Sequence, residues 1–194
     1  MNYLAHAYLS FDDPEILLGN MISDFVKGRK KFDYPLRVQK GIGLHRAIDS
    51  FTDDHPATKE AKEILRPAYR LYSGAFVDVI YDHFLATDKE EFSEKSLFLF
   101  SQQTYQALEG YAELFPERFA RMFPYIRSQD WLYNYREKWG TVKSFEGLVH
   151  RARYIHESGT AHQLFEQHYQ LFQNCYRQFW KELKAFALNE FQLS

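Results

Sequence analysis

Apolar residues in this chain recur at three- and four-residue steps, and no alternating run of β-branched residues and no Asn-Gly or Asp-Gly hairpin occurs. The pattern predicts an all-α fold. A short helix over about Tyr3–Leu9 comes first. Asp12-Asp13-Pro14 starts a second, with an acidic cap and proline in the first turn, and Gly28 stops it after about Lys27. Pro35 opens a third helix that ends near Thr52. Asp53-Asp54-His55-Pro56 then makes a turn and cap for a fourth over Ala57–Leu65, which Pro67 breaks or kinks. Ser73-Gly74 leads into a fifth, from Ala75 to about Ala86. The second half predicts helices over Ser93–Glu109, after Pro116, over Ser128–Lys138 and Ser144–His156, and one long helix from about Thr160 to Phe191. There is no internal repeat and no low-complexity linker, so residues 1–194 read as a single-domain helical bundle.

Three of the apolar stripes turn ionisable along their length. Val38, Ile42, His45 and Asp49 keep helical spacing while their character changes from hydrocarbon to imidazole and carboxylate. Leu17, Met21 and Asp24 do the same, and Asp24 falls at the helix end where the dipole disfavours an acid. In the fifth helix Val77, Ile80 and Phe84 form the apolar line, with Asp78 and Asp82 four apart beside it and His83 about 100° further round. A buried seam that turns polar must be satisfied by a metal ion, a facing ion pair or a hydrogen-bond network.

Composition narrows these options. With 45% hydrophobic and 18% aromatic residues the chain has material for a core without staples, so a metal would serve function more than folding. Cys175 is the only cysteine. A single cysteine excludes an internal disulfide and a thiolate zinc site and leaves oxygen and imidazole as ligands, and its place in the apolar pattern of the last helix makes it a poor nucleophile. No Gly-x-Ser-x-Gly elbow and no Gly-rich phosphate loop is present. The N-terminus lacks a signal-peptide pattern and no apolar run is long enough to span a membrane, so a cytoplasmic protein without membrane contact is expected. A net charge of −2 argues against a nucleic-acid binder. Locally the balance differs: from Phe25 to Arg46 seven basic side chains stand against Asp33 alone, a solvated loop or a docking patch for an acidic partner or phosphate.

The ionisable residues also sort by half. His6, Asp24, His45, Asp49, Asp53, Asp54, His55, Asp78, Asp82 and His83 all fall within the first 83 positions, whereas His150, His156, His162 and His168 lack close carboxylate company. The first 86 residues are thus expected to carry the site and residues 87–194 to supply scaffold and partner surface. Imidazoles and carboxylates on several facing helices are how a bundle holds Mn²⁺, Fe or Mg²⁺. Each pair taken alone is weak; their coincidence on three stripes favours one cause. Gly41 and Gly43 inside a helix cost about 1 kcal/mol each against alanine, for close packing or for ligand access beside His45.

Five ordered motifs carry a resemblance. Asn2-x-Leu4-Ala5-His6, Gly19-Asn20-x-x-x-Asp24-Phe25-Val26-Lys27-Gly28, Gly41 through His45-Arg46, Asp49 and Thr52-Asp53-x-His55-Pro56, Asp78-Val-x-x-Asp82-His83-Phe84-Leu85-Ala86, and Ser128-x-x-Trp131-Leu-x-x-Tyr135-Arg136 together resemble acyl carrier protein phosphodiesterase. The resemblance implies an all-helical, divergent relative of the HD-type phosphohydrolases using Mn²⁺ or a similar ion (Mg²⁺ or Fe as alternatives), with holo acyl carrier protein as partner and substrate. It departs from the HD pattern in one respect, since the adjacent pair is Asp82-His83 rather than His then Asp. On this reading His6, Asp24, His45, Asp49 and Asp82 are the candidate ligands. His45, Asp24, Asp82 and His83 are the candidate catalytic groups, and Lys27 and Arg46 the phosphate contacts. Two other readings are a phosphohydrolase acting on a nucleotide or small phosphomonoester, and a non-enzymatic helical binding module.

Overall fold

The computed structural model of the protein describes residues 1–193. Among these residues it contains no strand and eleven α-helices: α1 Tyr3–Tyr8, α2 Pro14–Ile22, α3 Leu36–Asp54, α4 Pro56–Tyr69, α5 Ser73–Thr87, α6 Glu94–Glu109, α7 Glu117–Ser128, α8 Trp131–Asn134, α9 Lys138–Arg151, α10 Gly159–Gln167 and α11 Tyr169–Leu193. One continuous set of buried apolar side chains runs through them.

The start of α2 is fixed by chemistry visible in the sequence. Asp13 accepts hydrogen bonds from the Glu15 and Ile16 amides at 3.1 and 2.9 Å, and Pro14 occupies the first position, where no N–H is needed. The other carboxylate oxygen takes the Arg37 guanidinium at 2.7–2.8 Å, tying the first turn of α3 to that of α2. Further along, the two backbones touch. A Cβ on Gly19 would lie 2.1 Å from the Val38 carbonyl oxygen, and one on Gly41 would lie 2.3 Å from that of Ile16. Gly41 therefore serves close packing. Gly43 is exposed, with nothing within 4 Å of a Cβ placed there.

Between these helices the chain runs through two 3₁₀ segments, Ser23–Phe25 and Gly28–Asp33. The second helix accordingly ends at Ile22 rather than Lys27, and Asp24 stands in the first of these turns. His55 caps α4, its Nδ1 accepting from the Ala57 amide at 3.2 Å. Pro67 falls in the last turn of α4, where its missing N–H forfeits one bond without ending the helix before Tyr69.

α5 is buried on nearly every side, from Phe76 to Ala86, and α11 lays its stripe of Phe172, Cys175, Phe179 and Leu183 against α3, α4 and α5. Three boundaries in the second half differ from the periodic pattern. Asp130, in the left-handed region at φ 45°, separates α7 from a four-residue α8. The backbone of Gly140 then seats against Asn134, so that α9 begins at Lys138 and ends at Arg151. The final segment divides at His168, whose amide closes α10 on Leu164 and whose carbonyl receives the first bond of α11 from Phe172. The apolar spacing passes unbroken through that residue, so it reads as one helix.

Candidate metal centre

α1 has only six residues and carries His6 in its last turn. Such a helix does not hold itself together in water. Asp82, on α5 and fully buried, receives the amides of Leu4 at 2.7 Å and Ala5 at 3.2 Å, acting as an N-terminal cap supplied from 78 residues away. Burial pushes its carboxyl up to about 7, against the Leu4 amide and the Met1 ammonium, which favour the charge. Both Asp82 oxygens are thus spent beneath α1.

On the far side of α1, Asn20 of α2 organises two imidazoles. Its Oδ1 accepts from His6 Nδ1 at 2.8 Å, its Nδ2 donates to the His6 carbonyl at 2.8 Å, and its backbone carbonyl accepts from His45 Nδ1 at 2.7 Å. Both rings therefore carry their first proton on Nδ1 and turn Nε2 the other way. The rings stack, with centroids 3.9 Å apart and planes 15° from parallel.

The two Nε2 atoms converge on carboxylates. Asp49 Oδ1 is 3.2 Å from His6 Nε2, and its Oδ2 is 3.1 Å from His45 Nε2, one turn back along α3. Asp24 Oδ1 reaches His45 Nε2 at 3.2 Å from the 3₁₀ turn, with its side chain 71% exposed. Asp49 is 40% exposed, so the group opens to solvent on one side. His6, His45 and Asp49 each offer a donor atom within 4.8 Å of the others, an arrangement that can hold a divalent ion.

The electrostatics have the same logic. His45 is desolvated, which opposes its charge, but hydrogen bonds to Asp24 and Asp49 outweigh burial and hold it up at about 9. His6, buried beside that imidazole, is pushed down to about 4 by desolvation first and by His45 second. The Asp24 carboxyl is held below its ordinary range, chiefly by its bond to His45. The Met1 α-ammonium has no exposed surface and sits 3.3 Å from Asp49 and 3.0 Å from Asp78. Carboxylates and lone pairs thus surround a point that demands positive charge, and in the protein alone a proton on His45 and the ammonium supply it. That demand fits the donor set to a cation.

Among the expected site residues, the structure brings together His6, Asp24, His45 and Asp49. Asp82 lies one layer below, as described. His83 is not brought to this group: its Nδ1 donates to the Tyr135 carbonyl at 2.8 Å and its Nε2 accepts from the Tyr169 hydroxyl at 2.9 Å. Arg46 is exposed, and its guanidinium donates to the Val26 carbonyl at 3.0 Å, two residues beyond Asp24. Lys27, Arg29 and Lys30 are exposed on the following turn, whereas Arg37 is committed to Asp13. Asn20 stands in one of the motifs without an expected role, and the Met1 ammonium was not among the expected groups. A buried amide between Leu17 and Met21 was the available signal for Asn20.

Comparison with known proteins bears on the same chain. The sequence model of the family described as acyl carrier protein phosphodiesterase matches residues 1–183. A relative of that name from Enterobacter sp. (strain 638) is 32% identical over 191 residues, covering 98% of this chain and 99% of its own. One from Photorhabdus laumondii is 30% identical over 98% and 96%, and one from Yersinia pestis 32% over 93% and 94%. No solved structure matches. Nearly full-length agreement with both the family and these relatives makes the chain a member of the acyl carrier protein phosphodiesterase family.

Proposed function

We propose that this protein is a metal-dependent phosphodiesterase that hydrolyses the bond between 4′-phosphopantetheine and serine in holo acyl carrier protein, giving the apo carrier protein. The observation that carries the reading is the convergence of His6 Nε2, His45 Nε2 and the Asp49 carboxylate beside a solvent-facing Asp24, in a chain of this family. Oxygen and imidazole donors without thiolate favour Mn²⁺, with Mg²⁺ or Fe as alternatives.

When bound, a divalent ion supplies charge neutralisation for the phosphoryl group and acidifies water at neutral pH. The protein's residues do the rest. Asn20 holds both imidazoles by Nδ1, which leaves Nε2 of His6 and His45 as the atoms that would hold the ion. Asp24, on the open side, accepts the proton of the attacking water. Arg46 and Lys27, one and three residues from His45 and Asp24 respectively, offer positive charge to the non-bridging phosphoryl oxygens. The new P–O bond forms from water as the P–O bond to serine breaks, and the departing serine oxygen takes up the proton that Asp24 received. Asp82 acts by holding α1 in place. The exposed Lys27, Arg29 and Lys30 give an acidic carrier protein its approach.

The test is release of apo protein from holo carrier protein in Mn²⁺, compared with Asp24→Ala, Asp49→Ala and excess chelator. Each substitution and the chelator are expected to abolish turnover, and a nucleotide or phosphomonoester panel is expected to give none. Full turnover in chelator, or by both variants, refutes the reading.

A further inference from the structure

A groove of about 490 Å³ opens beside the first turn of α1, within the size range of small-molecule sites, about 300–1,000 Å³. It is walled by Tyr3, Trp131, Tyr135 and Trp139, with the primary amides of Asn2 and Asn134 among its polar groups. Its place is set by three consecutive residues. The Met1 ammonium lies 3.3 Å from Asp49 of the metal group, the Asn2 amide donates to Tyr135 Oη at 2.8 Å inside the groove, and the Tyr3 ring is 6.3 Å from that of Trp131. The Tyr3 phenol lies in the field of Arg151 on the groove side and of Asp24 on the metal side. Groove and metal group are therefore adjoining.

The lining is unusual for a surface. Trp139 keeps 57% of its area exposed although aromatic burial is worth several kcal/mol on the usual area scale, about 25 cal/mol per Å². Its neighbours offer both donors and acceptors, which a hydrocarbon ligand would leave unused. A flexible chain in which secondary amides alternate with short alkyl segments satisfies both halves of this lining: alkyl segments and amide faces on the indoles, amide edges on the asparagines.

We propose that this groove binds the pantetheine arm of holo carrier protein, seating the amide-bearing chain while its phosphate end lies at the metal group. The proposal rests on the phosphodiesterase reading above. It makes Trp139 and its neighbours the residues that distinguish an arm-bearing diester from a small one, through KM.

Gly147 provides a clean probe. It lines the groove, and a Cβ added there meets only the Arg151 guanidinium at 3.4 Å, so Gly147→Leu fills the groove without straining the backbone. Pantetheine lacking phosphate is titrated against tryptophan fluorescence in the wild type, Gly147→Leu and Trp139→Ala, and turnover of holo carrier protein is compared with that of bis(4-nitrophenyl) phosphate. Expected is weakening of pantetheine binding by about tenfold or more in both variants, a matching rise in KM for holo carrier protein with kcat within about twofold, and an unchanged small-diester rate. Unaltered pantetheine affinity in both variants overturns the proposal, as does a parallel fall for both substrates. If the wild type hydrolyses no diester in any divalent metal, the phosphodiesterase reading fails by itself, and the pantetheine titration still decides the groove.

Discussion

Gly41→Ala and Gly43→Ala are the same chemical change two residues apart in α3, and the structure gives them opposite signs. At Gly43 a new methyl meets nothing within 4 Å, so the substitution only removes backbone freedom from the unfolded chain and adds helix propensity. Stability rises by about 0.5–1 kcal/mol. At Gly41 the methyl would stand 2.3 Å from the Ile16 carbonyl oxygen, 2.9 Å from Ile16 Cα and 3.0 Å from Gly19 Cα. All three are backbone atoms of α2, so no side chain can swing aside, and the helices must part by on the order of 1 Å. Overpacking against a rigid partner costs about 3 kcal/mol, from which the propensity gain of about 1 kcal/mol is recovered, leaving about 2 kcal/mol lost. For a chain of 194 residues that lowers the melting temperature by about 4–8 °C, while Gly43→Ala raises it by about 1–4 °C. The His45–Asn20 bond spans this same α2–α3 contact at 2.7 Å, so Gly41→Ala also weakens metal affinity. Circular dichroism melts of the two variants, followed by Mn²⁺ titration, measure both effects. A Gly41→Ala protein that melts within about 1 °C of the parent would refute the backbone-contact account. Slowed turnover in Gly43→Ala would instead return that glycine to ligand access.

Asp82→Ala strands two buried amides at about 1–3 kcal/mol each, so the melt should drop by about 4–24 °C and Mn²⁺ should bind more weakly through the loosened His6; a dead variant with parental melt and metal affinity would move Asp82 into the chemistry. His83→Phe should cost about 1–3 kcal/mol in urea unfolding yet leave the specific activity of the folded protein unchanged, and a selective loss of turnover would contradict its placement. Burial holds the His83 pKa below 6.5, so the unfolded chain binds its proton first; the stability this group contributes is present above pH 6.5 and is lost as pH falls below it, a slope that His83→Phe should flatten in urea midpoints between pH 7.5 and 5.5. Saturating Mn²⁺ at a hundred times its dissociation constant should stabilise the parent by about 2.7 kcal/mol, and equal stabilisation of His45→Ala would remove His45 from the ligand set.

Much of this architecture was legible because periodicity reports which face of a helix turns inward. The stripe Val38–Ile42–His45–Asp49 reads directly as a seam that goes from core to site, and the structure finds the first three of these buried and Asp49 half-buried at the opening. Periodicity does not report what a side chain meets. Asp82 and His83 are adjacent, buried and equally conspicuous in sequence, yet one caps α1 and the other bonds Tyr135 and Tyr169, because 100° of helical rotation aims them at different neighbours. Asn20 shows no role in the sequence for the converse reason: its importance lies in partners 14 and 25 residues away. The break at His168 left no mark on an apolar spacing that continues through it.

The dependence of α1 on distant residues also has a meaning in time. Its residues are made well before their anchors: Asp82, which holds Leu4 and Ala5, and Tyr135, which holds Asn2, follow up to 78 and 133 positions later. At roughly 5–20 residues per second the segment waits on the order of ten seconds or more before its last anchor exists, and alone it is too short to stay helical. His6 therefore reaches Asp49 only when most of the chain has been synthesised and packed. The set of His6, His45 and Asp49 is thus completed late, after α5 and Tyr135 are in place.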